Sequence, residues 1–234
     1  MTGVVSAAGR RVRWRSTPVH LLLALTFATG VVDAVGYLRL DQVFAGNMTG
    51  NVVILGMAAV GGAGLPVLGP AVALLSFLIG AAVAGRVLRR TAAPGWNHLH
   101  TGLLAGVGLL LATTALGMAA TGIGTTTFRT VMALSLALAM GVQAATARHL
   151  AVKDITTVVV TSTLTGLAAD SRLGSARGQG AKRRIAVVVL IVAGAVAGAA
   201  LCQVHEGLAV AIAAFTVLTV TAVGHKQVHN TPHE

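Results

Sequence analysis

The stretch Phe44-Ala45-Gly46-Asn47-Met48-Thr49-Gly50-Asn51 decides how the chain is read. It lies inside a long apolar region, yet it crowds glycines, asparagines and a threonine into eight residues. Gly and Asn are poor helix formers. In hydrocarbon, each unpaired backbone group costs several kcal/mol. The segment is therefore either a buried unwound turn or the mouth of a polar path, and the second reading is the one followed here.

The surrounding composition sets the class. Of 234 residues, 55% are hydrophobic and only 10% charged, and the mean hydropathy is +0.83. Soluble domains carry about 25% charged residues, so this chain reads as an integral membrane protein. Several apolar runs approach the ~20 residues that cross a bilayer as a helix. Alternation at period two, the mark of a membrane barrel, is absent. The expected fold is all-α, a polytopic helical bundle rich in Ala, Gly, Val and Leu. The formal charge of +11 does not indicate nucleic acid, because Arg and Lys cluster between apolar runs, as in the cytoplasmic loops of membrane proteins. One cysteine, Cys202, rules out an internal disulfide and supports no cysteine-based metal site.

In chain order, residues 1–18 form a basic leader with Arg10, Arg11, Arg13 and Arg15, read as a cytoplasmic anchor with Trp14 at the interface. A single transmembrane domain occupies 19–224, and a polar tail 225–234. Clear spans are expected at 20–38, 67–88, 99–120, 128–147, 185–204 and 208–223. Two stretches do not fit a plain span: the opening one, running on to Val60, and the Thr156–Gly166 region with its five hydroxyl-bearing threonines and Ser162.

Charge decides between topologies. If both odd stretches cross, there are eight spans, and Arg39, Arg86, Arg89, Arg90, Arg148 and Lys153 fall outside. If both re-enter, there are six spans, and only Arg39 and Arg129 of the 17 basic residues fall outside. The excess of Lys and Arg in cytoplasmic loops favours six spans, with both termini cytoplasmic. The first stretch then enters from outside and the second from inside. Residues 127–224 would repeat 19–121 in inverted orientation, a design that puts a site near the midplane between the repeats. Met48-Thr49-Gly50 against Leu164-Thr165-Gly166 is the matching pair of motifs.

The run Thr29-Gly30-Val31-Val32-Asp33-Ala34-Val35-Gly36-Tyr37, followed by Val43–Val53 with its Asn47-Met48-Thr49-Gly50-Asn51 core, resembles the YoaK family, the DUF1275 membrane proteins of bacteria. The segment Thr161–Gly166 before Ala168-Ala169-Asp170 resembles that family's second motif. The chain has Ala45-Gly46-Asn47 where the family often has Val-Ala-Asn. The resemblance implies a multi-pass protein of the bacterial inner membrane and implies no particular activity.

Several residues are candidates for chemistry. A carboxylate within a span costs about 2.5–3.5 kcal/mol on insertion scales, so Asp33 should meet a partner or a wet cavity, as a cation or proton site or as an acceptor for backbone donors. Asn47, Thr49, Gly50 and Asn51 read as solute contacts or as helix caps. Thr161, Thr163, Thr165 and Gly166 are their counterpart, as pore lining or packing, and Gln143 has the same two readings. His98, His100, His225, His229 and His233 read as solvated loop and tail residues and not as a metal site. Gly102/Gly106 and Gly194/Gly198 have the spacing of close-packing helix faces. No phosphate loop, paired catalytic carboxylates or zinc-protease motif occurs, and no cofactor is implied. The expected function is passage of a small solute or ion across the bilayer. An assembly or regulatory membrane protein is the alternative, and a membrane enzyme the third reading. The expected partners are the lipid bilayer and an unidentified solute, without nucleic acid; self-association stays open.

Overall fold

A computed structural model describes residues 19–61, 64–89, 91, 95–121, 124–150, 160–171 and 181–229. The leader with Trp14, and the Thr156–Val159 part of the second stretch, lie outside them. Among the described residues there are eight helices and no strand: α1 (Val19–Arg39), α2 (Met48–Ala59), α3 (Leu68–Leu88), α4 (His98–Thr121), α5 (Thr126–His149), α6 (Val160–Ala169), α7 (Ala181–Cys202) and α8 (Glu206–His229). Six are long and apolar enough to cross a membrane; α2 and α6 are apolar but short. At 1.5 Å per residue, the 12 residues of α2 reach about 18 Å, well below a hydrocarbon core of about 30 Å.

The helices pack with their small residues inward. On α3, Ala73, Ser76, Gly80 and Ala84 are buried while Leu75, Leu78, Ile79 and Val83 face out. On α7, Gly194 and Gly198 are buried while Val189, Val192 and Val196 face out. Lipid is as apolar as leucine, so burying leucine between helices gains little there, and close backbone approach decides the faces. Two such faces hold the bundle. On α1 and α7, a Cβ at Gly30 would strike the Ile191 carbonyl, and one at Gly194 the Phe27 carbonyl. On α3 and α5, Gly80 and Gly141 meet the Leu138 and Phe77 carbonyls in the same manner. The expectation for Gly194/Gly198 holds. That for Gly102/Gly106 fails, since a Cβ at either meets nothing within 4 Å.

Side-chain contacts at the helix ends fix the path of the chain. Asp41, just past α1, pairs with Arg129 in the first turn of α5 at 3.4 Å. The Arg39 guanidinium donates to the carbonyl of Cys202, which closes α7. Gly69, opening α3, lies against Asp41 and Val43. So α1 and α7 end, and α3 and α5 begin, at one end of the bundle. At the opposite end, His98 opens α4 6.0 Å from the ring of His225 near the close of α8, and His100 bonds His149 at the close of α5. Between α1 and α5 only an even number of crossings is consistent with Asp41–Arg129, and α3 and α4 supply both. Hence α2 leaves and returns at the Arg39 end. The His98–His225 contact excludes a crossing by α6 on the same count. Six crossings and two short helices result, as the charge pattern implies.

The second half also runs through the bundle in the opposite sense to the first. α1 packs on α7 and α8 as α5 packs on α3 and α4; α2 lies on α3 as α6 lies on α7; α4 meets α8. Boundaries differ from expectation at the basic ends. α7 starts at Ala181 and takes Lys182, Arg183 and Arg184 into its first turn; α8 runs on to His229, into the expected tail. Long cationic side chains keep their heads in water while their stems cover apolar surface, so charge does not stop a helix at a bundle end. Labelling tests this path. In a Cys202→Ser background, single cysteines replacing Arg89 and Gln227 are expected to react with an impermeant maleimide from the same side of a sealed vesicle, and one replacing Val204 from the other. A shared side for all three would refute six crossings.

Candidate functional site

The turn after α1 is built by left-handed backbone. Asp41 and Gln42 have φ of 56° and 57°, a region costly for most residues but tolerated by Asp. The turn sends the chain back along α1, where Gly36 is needed because a Cβ there would strike the Val43 carbonyl. Val43 N–H donates to Gly36 O at 3.3 Å. The returning segment 44–47 is then pinned by two side chains. Asp33 accepts Gly46 N–H at 2.6 Å, and the amides of Asn47 and Ala45 also face its carboxylate. Asn51 accepts Phe44 N–H at 2.9 Å and donates to Phe44 O at 2.7 Å. This reciprocal pair stands in for a backbone ladder where none can form. Gly46 is close enough to α1 that a Cβ would lie 2.8 Å from Thr29 Cγ2. Gly50 lies under Phe44, whose ring a Cβ would meet at 2.6 Å. α2 starts immediately afterwards, with Asn47 as its N-cap accepting Gly50 N–H at 3.4 Å.

Beside this turn lies a cavity of about 830 Å³. Its walls come from α1 (Thr29, Asp33, Tyr37), the turn and α2 (Phe44, Gly46, Asn47, Thr49, Gly50), α6 (Val160, Thr161), and the middles of α3 and α7 (Phe77, Ile191). Tyr37 is near the Arg39 end, and Thr29 is ten residues before Arg39, about 15 Å deeper. The cavity thus runs from one bundle end to about half its depth. Both motif stretches reach it, α2 entered from the Arg39 end and α6 fastened at the other.

The candidate residues divide by position. Asp33, Asn47, Thr49, Gly50 and Thr161 line the cavity. Asn51 does not; it is fully buried on Phe44. Gln143 is buried between helices, donating to Thr29 Oγ1 at 3.0 Å and toward Leu25 O at 3.3 Å. Its Oε1 has no protein partner among the described residues. Thr163 is buried and Thr165 exposed, neither on the wall. Gly166 belongs to a clamp: Arg184 of α7 donates to Gly166 O at 2.6 Å and to Asp170 at 2.7 Å. A cation there suits the carbonyl-rich close of α6. The sequence match of Met48-Thr49-Gly50 to Leu164-Thr165-Gly166 therefore does not coincide in space. The start of α2 faces the start of α6, and Thr161 occupies the facing place. Thr29, Tyr37, Phe44 and Phe77 also stand on the wall but were not among the residues expected to meet a solute. Thr29 and Tyr37 precede the motif, Phe44 opens it and Phe77 lies on α3, and their shared wall exists only once the chain doubles back.

A second polar cluster corrects an expectation. His100, read as a solvated loop residue, is fully buried. Its Nε2 is 3.1 Å from His149 Nδ1, and its Nδ1 is 2.7 Å from Asn97 Oδ1. Asn97 also receives Leu99 N–H and His100 N–H and so caps α4. The helix starts one residue earlier than expected and draws His100 inside. His233 lies outside the described residues. Among the described residues no three His, Cys, Asp or Glu side chains gather as metal ligands would.

No solved structure matches the chain. It is 30% identical to the UPF0700 transmembrane protein YoaK of Bacillus subtilis (strain 168) over 155 residues, 64% of this chain and 65% of the relative. The model of a family described as "Protein of unknown function (DUF1275)" matches residues 21–223. With that match running from the third residue of α1 almost to the end of α8, the chain is a membrane protein of the DUF1275 family.

Proposed function

We propose that the protein passes a small solute or ion across the membrane, with the cavity beside Asp33 as the solute site. One observation carries the reading: a cavity of about 830 Å³ reaches half the depth of the bundle, and in its largely apolar wall both motif stretches place polar side chains. Broken or short helices that meet near the midplane of inverted halves are a recurrent transporter design. Asp33 and Asn47 reach the solute there, Thr49 and Thr161 offer hydroxyls, and Gln143 holds α5 against Thr29 of the same wall. The described basic residues Arg86, Arg89, Arg148, Lys182, Arg183, Arg184 and Lys226 gather at or near the His98 end, against Arg39 and Arg129 at the other. That bias supports the His98 end as the cytoplasmic one, in a bacterial inner membrane, with the cavity opening outward. The reading is of a passage protein and not an enzyme. Ser76 and Ser135 donate to carbonyls of their own helices, Val72 and Val131, so neither is set up as a nucleophile.

The test is flux in proteoliposomes across a panel of inorganic ions, amines, amino acids and sugars. Uptake of at least one class is expected, with loss of most of it in Asp33→Ala and Asn47→Ala. Background flux throughout, with a second protein copurifying stoichiometrically, would favour the assembly reading.

A further inference from the structure

We propose that the solute taken by this cavity is a small organic ammonium ion, with its charged group against Asp33 and its carbon skeleton against Tyr37, Phe44 and Phe77. The proposal rests on the reading of the cavity as a solute site and names the class of solute. Among the described residues, Asp33 is the only charged side chain on the wall, and none of the residues lining it is Lys, Arg or His. Three aromatic rings share that wall, and those of Tyr37 and Phe44 stand 5.0 Å apart at 31°. A carboxylate with aromatic faces is the arrangement that attracts organic cations, through charge and through the ring quadrupoles. The starts of α2 and α6 also face the cavity, and each carries roughly half a positive charge. At α2 that charge is already met by Asn47 on Gly50 N–H and by Asp33 on Gly46 N–H.

Two further observations narrow the class. The volume lies within the range of about 300–1,000 Å³ typical for small-molecule sites, whereas a bare metal ion would leave it mostly water. An ionised carboxylate has about four acceptor positions, and the amides of Gly46, Asn47 and Ala45 all face this one. Little acceptor capacity is left for a cation with several N–H donors, while the negative charge remains. A quaternary ammonium needs only the charge and an apolar surround.

Choline, its neutral isostere 3,3-dimethylbutan-1-ol and the anion 3,3-dimethylbutyrate have similar bulk and differ in charge. Their binding to the full-length protein in nanodiscs would be measured by calorimetry. Choline is expected to bind at least about tenfold more tightly than the alcohol, with the preference lost in Asp33→Asn, because a desolvated charge pair is broken. Tyr37→Leu, which leaves the Asp33–Gly46 bond in place, is expected to weaken choline on the order of 2- to 5-fold. No choline binding, or choline binding unchanged in both variants, overturns the proposal. Binding of the alcohol or the anion as tight as choline, and lost in Thr161→Trp, overturns the cation class but leaves the cavity a solute site. If none of the three binds and the flux panel is also silent, the solute-site reading falls with it.

Discussion

Gly194→Leu is expected to lower the stability of the detergent-solubilised protein by about 1–3 kcal/mol or more, the range for overpacking a close contact. The reason lies in the backbone. The missing Cβ would strike the Phe27 carbonyl oxygen and approach Val31 N to 3.1 Å, and these are main-chain atoms that cannot rotate aside. α1 and α7 would have to separate, and the reciprocal contact of Gly30 with Ile191 would open with them. The Arg39 bond to Cys202 O would also be strained, since it ties the far ends of the same two helices. Gly102→Leu and Gly106→Leu provide the control. A Cβ at either meets nothing within 4 Å, so a change within about 0.5 kcal/mol is expected. Unfolding in SDS, followed by far-UV circular dichroism, separates the cases. Equal behaviour of Gly194→Leu and Gly102→Leu would mean that α1 and α7 do not touch along this face.

That comparison also marks how far the sequence could be read. Both glycine pairs have the same spacing, and nothing in either distinguishes a buried face from a lipid-facing one. In a soluble helix the apolar stripe would tell them apart. Here the helices are apolar all round, and the inward side of α3 is marked by small residues while the larger ones face out. Length and charge survive this loss of contrast. The six spans and the return of α2 to its own end were therefore legible from apolar runs and from Arg39 and Arg129 standing apart from the other basic residues. Asp33 was legible as a residue needing partners, because a carboxylate in a span demands them. Its partners, three successive amides of a chain that has turned back, depend on the left-handed pair Asp41-Gln42, which no composition argument locates. Thr161 was among the candidates and lines the cavity, but the repeat match set Thr165 opposite Thr49 because Thr-Gly pairs match readily. Register in α6 is instead set by Arg184 closing its far end on Gly166. His100 was misread because capping by Asn97 depends on a loop whose exit direction is a tertiary fact.

Asn51→Ala and Asn47→Ala are expected to part in opposite directions, though the two asparagines stand four residues apart in one motif. Asn51 is fully buried, and its amide group makes both hydrogen bonds to the backbone of Phe44. Alanine would leave a partly buried N–H and C=O without partners at about 1–3 kcal/mol each, so a loss of roughly 2–6 kcal/mol is expected. The Phe44 ring would no longer be held over Gly50, and the start of α2 would loosen with it. Asn47 is exposed, and its cap bond to Gly50 N–H is long at 3.4 Å; its replacement is expected to cost only about 0.5–1 kcal/mol. Yet Asn47 is on the cavity wall and Asn51 is not. Flux measured at equal amounts of folded protein should therefore fall further in Asn47→Ala, while the unfolding midpoint falls further in Asn51→Ala. Intact flux in Asn47→Ala would make the whole motif a device for holding the bend. A stable Asn51→Ala would mean that Asp33, with its amide partners, is enough to pin the returning chain.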